Sequence, residues 1–269
     1  MRLNFFFDID GTLLPFGKRV PESALEAIKS AKESGDRIFL STGRSIAEIS
    51  DEIASLPLNG GVYSAGGRAY ADGKLLYKRV FTPEERREAL DAIEKFNLEG
   101  VIQTDEGTYF KKESLELFKN LMMEYVGNVI EIPHAAVVDE LSEELEMNKF
   151  LIISKERRVQ EVREALKGKF VVVDNTVGLP QDLMAEVVLP DITKATGIEK
   201  ILEYYGDSRD SVIAVGDGAN DIEMIEYAAI GISMGNGSDS LKAVADYITT
   251  DVECDGLKNA IKYAKRVKG

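Results

Sequence analysis

The sequence predicts an α/β protein, a doubly wound parallel sheet interrupted by an inserted α+β domain. Short apolar runs alternate with amphipathic helical stretches at the start of the chain. The alternation gives way to hairpin signals near Thr82 and resumes after about Glu186. Alternation of this kind implies parallel strands joined by right-handed crossover helices, which gathers the strand C-terminal ends along one edge, where ligands bind. At about 150 residues per domain, 269 residues make one large or two modest domains. The expected boundaries give a core of residues 1–81 and 187–269 and an insert of residues 82–186.

In order, Leu3 to Phe7 reads as a buried strand, and Pro21 to Lys32 sets Ala24, Leu25, Ile28 and Ala31 on one helical face, ended by Gly35. Arg37 to Ser41 is a second strand. Ser45 with Glu48 forms a capping box ahead of Ile46, Ile49, Ile53 and Leu56 at helical spacing. Gly60 to Ser64 is strand-like, and Asp72-Gly73 between two apolar runs signals a hairpin. Thr82-Pro83-Glu84-Glu85 opens a helix with a cap, a first-turn proline and an acidic third position.

Within the insert, a hairpin is expected around Asp105-Glu106-Gly107, helices over Ser114 to Tyr125 and Glu156 to Leu166, and strands over Lys149 to Ser154 and Lys169 to Val173. The alternation then resumes with helix Thr193 to Tyr205, strand Ser211 to Val215, helix Asn220 to Ala229, strand Ile230 to Ser233, helix Ser238 to Ala245 and strand Tyr247 to Thr249.

Lys and Arg total 33 against 47 Asp and Glu, a formal charge of −14. That balance, with no long basic run, argues against a nucleic-acid partner; Lys262 to Lys268 reads as the exposed face of a final helix. The apolar N-terminal run meets Asp8 too soon for a signal peptide, and no stretch reaches the roughly 18 apolar residues of a membrane span. A cytoplasmic protein with no membrane partner is the expectation. Cys254 is the one cysteine, which excludes an internal disulfide and thiolate clusters and reads as a small apolar filler.

Two segments carry chemistry. Asp8-Ile9-Asp10-Gly11-Thr12 places two carboxylates one residue apart at a sheet edge, where they repel unless a cation or a proton holds them. Aspartate and glycine also gather at turns for backbone reasons alone. Gly216-Asp217-Gly218-Ala219-Asn220-Asp221 imitates a dinucleotide fingerprint, but acid stands where a pyrophosphate needs donors, and Asp217 and Asp221 also suit a helix N-terminus. Gathered along one edge, Asp8, Asp10, Asp217 and Asp221 suit a hard divalent ion such as Mg²⁺, whose remaining partner is an anion. Thr42-Gly43-Arg44 and Lys194 offer that anion a hydroxyl, N–H groups and a positive charge, Lys194 from the start of a helix where the macrodipole disfavours it. A solvated surface lysine is the plain alternative.

In this order, with a large insert between the second and third, these pieces resemble the four motifs of the haloacid dehalogenase-like (HAD) hydrolase superfamily. Asp8-Ile9-Asp10-Gly11-Thr12 resembles its first motif, Thr42 its second, Lys194 its third and Gly216 to Asp221 its fourth. The insert and a glycine-rich fourth motif ending at Met224 resemble the Cof-type branch with a large cap. The resemblance implies a Rossmann-like core and a phosphatase acting on small phosphomonoesters, with sugar phosphates leading. It implies Asp8 as nucleophile and Asp10 as general acid and base. Mg²⁺ would lie on Asp8, the Asp10 backbone carbonyl and Asp217, with Asp221 orienting water or metal from behind. Ile9, Thr42, Gly43, Lys194 and Asn220 would bind the phosphoryl oxygens.

Where Cof-type chains commonly carry Asn-Gly, this chain has Ser64-Ala65-Gly66-Gly67-Arg68. Arg44 and Arg68 suit substrate binding or an ion pair with acid. In the insert, which would choose the substrate, His134, Asp105, Glu106, Asp174, Asn175 and Asp182 are weak candidates, as solvated loops or structural contacts explain them equally. A phosphomutase of the same fold and a noncatalytic phosphometabolite sensor are the competing readings.

Overall fold

The computed structural model describes residues 2–129, 132–175 and 178–268. The chain divides into two compact units, the first made of Met1–Arg44, Ser50–Lys78 and Thr193–Gly269, the second of Ser45–Ile49 and Arg79–Ile192.

The first unit begins with β1 (Asn4–Phe7), all of it buried, then α1 (Glu22–Glu33) and β2 (Arg37–Ser41). The apolar spacing from Ile46 to Leu56 predicts one helix, but the structure breaks it in two. A single 3₁₀ turn covers Ile46–Glu48, Ile49 and Ser50 are extended, and α2 occupies only Asp51–Ala54. The Glu48 carboxylate accepts from the Ser45 N–H at 2.8 Å, which closes the turn early, and Ser50 starts the next one. After α2 come β3 (Gly60–Tyr63), β4 (Arg68–Ala71) and β5 (Lys74–Lys78). Asp72 and Gly73 both have positive φ, 48° and 75°, as a tight hairpin turn between β4 and β5 requires.

The second unit opens with α3 (Pro83–Lys95), whose N-cap Thr82 accepts from the Glu85 N–H at 3.2 Å while Glu85 accepts from the Thr82 N–H at 2.7 Å. There follow β6 (Glu99–Gln103), β7 (Thr108–Phe110), α4 (Lys112–Leu121) with a π turn at Met122–Val126, and β8 (Ala135–Val137). Then come β9 (Lys149–Ile153), α5 (Val159–Leu166), β10 (Val171–Asp174) and β11 (Met184–Val188). Helix α5 starts three residues later than its apolar spacing suggests because Arg157 sits at φ 58°, outside helical space. The six strands run in the order β10-β11-β9-β6-β7-β8, antiparallel except for β7 with β8. Pairing of Met184–Val188 in this sheet carries the second unit beyond Glu186. One face buries Val101, Phe110, Leu151 and Met184 against Phe118 and Leu121 of α4. Phe81, Phe150 and Phe170 form a separate aromatic cluster with ring centroids 5.4–6.4 Å apart.

The chain then returns to the first unit through α6 (Lys194–Tyr205), β12 (Val212–Gly216), α7 (Ile222–Tyr227), β13 (Ile230–Ser233), α8 (Asp239–Lys242), β14 (Tyr247–Ile248) and α9 (Gly256–Lys268). Its eight-stranded sheet has the order β14-β13-β12-β1-β2-β3-β4-β5, parallel through β3. Phe6, Phe39 and Ala214 face the buried side of α6 and α7. Alternation along β1 turns Phe5 and Phe7 to the opposite face, and α1 and α9 pack on each other and on β2 and β12. This is the doubly wound α/β core with its α+β insert. Cys254, expected as apolar filler, is exposed. Among the described residues no helix is long and apolar enough to cross a membrane.

Candidate active site

Strands β1 and β12 are neighbours with Phe7 opposite Val215, so the residues that follow each emerge side by side. The Asp8 N–H donates to the Val215 carbonyl at 3.0 Å and extends the ladder by one step. The chain then folds sharply, the N–H groups of Leu13 and Leu14 both donating to the Ile9 carbonyl at 2.9 and 3.0 Å. Gly11 sits at φ +83°, and a Cβ there would lie 2.3 Å from Oδ2 of Asp217. Only glycine lets this turn press against that carboxylate. The Thr12 hydroxyl donates to Asp217 Oδ1 at 2.8 Å, and Asn236 Nδ2 donates to the Gly11 carbonyl at 2.8 Å.

Lys194 stands at the first position of α6 and is 1% exposed, so the surface reading does not hold. Its ammonium donates to Asp8 Oδ1 at 2.6 Å and also to Asp221 Oδ1. Asp221 spends its other oxygen on the N–H groups of Asp217 and Gly218, each at 2.9 Å, closing the loop after β12. The Ser64–Gly66 turn braces the start of α6: Gly66 has φ +115° and a Cβ there would lie 1.9 Å from the Thr193 carbonyl oxygen. Ser64 and Ala65 are also left-handed, and their N–H groups donate to the carbonyls of Arg44 and Thr42 at 2.8 and 3.0 Å. This turn stands where the sequence departs from the usual Asn-Gly.

One carboxylate oxygen from each of Asp8, Asp217 and Asp221 lies within 4.8 Å of the others. Burial pushes the Asp8 carboxyl well above the usual range, against the pull of Lys194, and Asp221 and Asp217 push it further. Asp217 is pushed up to about 7, first by burial and then by Asp221. Burial works against the Lys194 ammonium, but Asp221 and Asp8 outweigh it and its pKa is raised. One buried cation is therefore short of the charge that two buried carboxylates and a half-buried third need.

An all-oxygen donor set with surplus negative charge fits a hard divalent cation. Asp8, Asp217 and Asp221 bring that set together, Asp221 with its oxygens already serving Lys194 and two backbone N–H groups.

A pH signature follows. A carboxyl whose pKa is raised by folding contributes stability below its unfolded value and loses it as pH rises through the folded value. For Asp217 the window runs from 3.8 to about 7. In chelator, melting temperature is expected to fall across that window. Added Mg²⁺ at about 100 times its Kd should raise it by roughly 5–10 °C at pH 8 and little at pH 5. An equal rise at both pH values would contradict the carboxylate assignment.

Asp10 is turned to a different partner. Arg44 holds it in a bidentate fork, Nε to Oδ2 at 2.8 Å and Nη2 to Oδ1 at 2.6 Å. Thr42 is 1% exposed and its Oγ1 accepts from the Arg44 N–H at 3.1 Å, which sets the loop carrying Gly43. Asn220 is exposed, with its Oδ1 close against Gly218. The Ile9 side chain is fully buried, so only its backbone can face a ligand. Arg68 is fully buried and donates to the Gly67 carbonyl at 3.0 Å, so it is not a surface arginine.

The candidates in the insert separate into structural roles. His134 is exposed with φ 52°, its carbonyl accepting from the Thr108 N–H at 3.2 Å. Asn175 Nδ2 donates to the carbonyls of Leu179 and Met184 at 3.0 and 2.9 Å. Asp174 and Asp182 pair with Arg163 and Arg157 at 2.7 and 2.8 Å, and Asp105 accepts from Asn148 at 2.8 Å. Glu106 N–H donates to the Thr104 hydroxyl at 3.1 Å. Asn236, which the sequence does not single out, holds Gly11 across 225 positions, a distance no local signal spans.

Acids delivered by adjacent parallel strands beside a buried lysine suit phosphoryl-transfer chemistry. The profile of the haloacid dehalogenase-like hydrolase family matches residues 5–261. The chain belongs to that family, as its motifs and its Cof-type resemblance imply. It is 28% identical over 261 residues to the 5-amino-6-(5-phospho-D-ribitylamino)uracil phosphatase YitU of Bacillus subtilis, covering 95% of this chain and 94% of that one. Among solved structures it superimposes with a TM-score of 0.82 on BT1666 from Bacteroides thetaiotaomicron, described among HAD phosphatases, at 28% identity over 98% of this chain and 95% of that one. It also superimposes with a TM-score of 0.81 on the HAD subclass IIB sugar phosphatase BT4131, at 27% identity over 98% of this chain and 99% of that one.

Proposed function

We propose that this protein is a Mg²⁺-dependent phosphatase that hydrolyses small phosphomonoesters, sugar phosphates foremost, through an aspartyl phosphate on Asp8. The observation that carries the reading is the buried Lys194 ammonium bridging Asp8 and Asp221, with Asp217 within ligand reach of both. The phosphatase names of related proteins such as YitU and BT4131 support the same class of reaction.

Asp8 attacks phosphorus in line, forming an O–P bond as the ester O–P bond breaks and the alcohol leaves. Asp10 gives the leaving oxygen a proton, then takes one from the water that cleaves the aspartyl phosphate. The Arg44 fork fixes the Asp10 carboxylate in one orientation, and each oxygen keeps a lone pair for that proton. Lys194 holds Asp8 in place and faces the charge that builds on the phosphoryl oxygens, joined by Thr42, Asn220 and the N–H groups of Ile9 and Gly43. A bound divalent ion supplies charge screening between the incoming phosphate and Asp8. The acidic chain, at −14, disfavours polyanionic polymers and suits small esters. The insert acts as a cap that selects the alcohol portion of the ester.

The test is phosphate release from a panel of sugar, nucleotide and cofactor monophosphates with Mg²⁺ and with chelator. Release that needs the ion and is strongest for a sugar phosphate is the expected result. Release only onto an acceptor sugar in the presence of a bisphosphate would identify a mutase. No release from any ester would overturn the reading.

A further inference from the structure

The loop after β13 is bonded to both acid-bearing turns of the first unit. The Met234 N–H donates to the Gly216 carbonyl at 2.9 Å and the Ser238 N–H to the Asp217 carbonyl at 2.8 Å, so the loop runs beside the segment that follows β12. Two glycines let it lie that close. A Cβ on Gly237 would stand 2.5 Å from Ser233 Oγ and 3.3 Å from the Asp217 carbonyl oxygen, and one on Gly235 would stand 2.3 Å from Asp251 Oδ1. Between these glycines stands Asn236. Its Nδ2 donates to the Gly11 carbonyl at 2.8 Å, and its Oδ1 accepts from the Val252 N–H at 2.9 Å.

Asn236 is exposed, so water is available to both ends of its amide, and bonds made in competition with water add little to stability. What they do is fix the groups at their far ends. Gly11 follows directly on Asp10, sits at φ +83° and has no Cβ to restrict its rotation, which makes it the freest link of the turn. Its N–H donates to the Leu14 carbonyl at 2.8 Å, so with Asn236 on its carbonyl both polar groups of its backbone are tied. Arg44 fixes the end of the Asp10 side chain, and Asn236 fixes the main chain beside the point from which that side chain springs. Asp8 does not depend on this bond, being held by the Val215 carbonyl and by Lys194.

We infer that Asn236 is a positioning residue for Asp10: by holding the Gly11 carbonyl, it sets the main chain from which the Asp10 carboxyl reaches the leaving oxygen of the ester. The inference rests on the phosphatase reading above, in which the ester O–P bond breaks as the Asp10 carboxyl gives its proton to the departing oxygen. A carboxyl displaced by a fraction of an ångström transfers that proton poorly, while attack by Asp8 is left intact. Asn236 therefore matters in proportion to the leaving group's need for a proton.

The experiment compares phenyl phosphate, whose phenolate is a poor leaving group, with p-nitrophenyl phosphate, whose nitrophenolate departs without a proton, both at saturating Mg²⁺. The quantity read is kcat/KM, which reports breakage of the ester bond and not the later cleavage of the aspartyl phosphate. Asn236→Ala is expected to lower it about tenfold more for phenyl phosphate than for p-nitrophenyl phosphate. Asn236→Asp keeps an oxygen for the Val252 N–H but has no donor for Gly11, and should shift the ratio as far as Asn236→Ala does. A residue that merely stabilised the fold, or the bound ion, would affect the two esters equally. A ratio within twofold of wild type in both variants overturns the assignment alone. No release from either ester by the wild type overturns the phosphatase reading and the assignment with it.

Discussion

Asparagine at position 8 is expected to lower Mg²⁺-dependent phosphate release at least about 10⁴-fold, because an amide has no charged oxygen to form the bond to phosphorus. The fold should survive. Asp8 is buried among two other carboxylates that push its pKa up, so its charge is carried against the local field and removing it relieves repulsion. Lys194 keeps Asp221 as a partner. Asp8→Asn should therefore melt no lower than wild type at pH 8 in chelator. Loss of turnover with the melt preserved separates chemistry from structure. Retention of more than about a hundredth of wild-type turnover would sink the covalent route.

Methionine in place of Lys194 should behave in the opposite way. The side chain is of similar length and apolar, but it leaves Asp8 and Asp221 buried without their shared cation. Breaking a buried ion pair from one side costs about 3–5 kcal/mol, which for a chain of this size lowers the melting temperature by roughly 10 °C. The loss should shrink at pH 5, where the stranded carboxyls take up protons. Turnover should vanish with Asp8 unanchored and the phosphoryl charge unmatched. A Lys194→Met protein that melts like wild type at pH 8 would show that the ion pair contributes nothing to the fold.

The contrast shows which parts of the site can be read from a one-dimensional string. Asp8, Asp217 and Asp221 were legible because strand, acid and glycine follow one another locally, and parallel topology brings two such strand ends together. The partner of Asp10 was not. Arg44 lies 34 positions away, and nothing in Thr42-Gly43-Arg44 distinguishes an arginine aimed at substrate from one clamped to an acid. The burial of Lys194 was equally hidden, since a lysine at a helix start has the same sequence signature whether solvated or enclosed.

In the fold, long periodic stretches such as α1, α3 and α6 were readable, and short exposed pieces were not. Strand β8 has three residues, two of them exposed, and so lacks the alternation that marks a strand. The apolar spacing from Ile46 to Leu56 survived a break it could not report. Ile53 and Leu56 are buried in the second half while Ile46 and Ile49 are only half-buried, and the break falls where the Glu48 carboxylate closes on the Ser45 N–H and Ile49 and Ser50 turn extended.

The stem of the insert has a consequence for how the chain folds. Strand β1 pairs with β12 across roughly two hundred residues, a closure that ordinarily slows folding. At the stem, Arg79 Nε donates to Asp191 Oδ2 at 2.9 Å, and the same guanidinium grips Glu85. The two ends of an insertion of about a hundred residues are thus held together by the insertion itself. If that unit forms first, the closure between β1 and β12 spans roughly ninety residues rather than two hundred, an entropic difference of about 0.7 kcal/mol. The nascent chain would then assemble its acids last, only after the segment carrying Asp217 and Asp221 has been made.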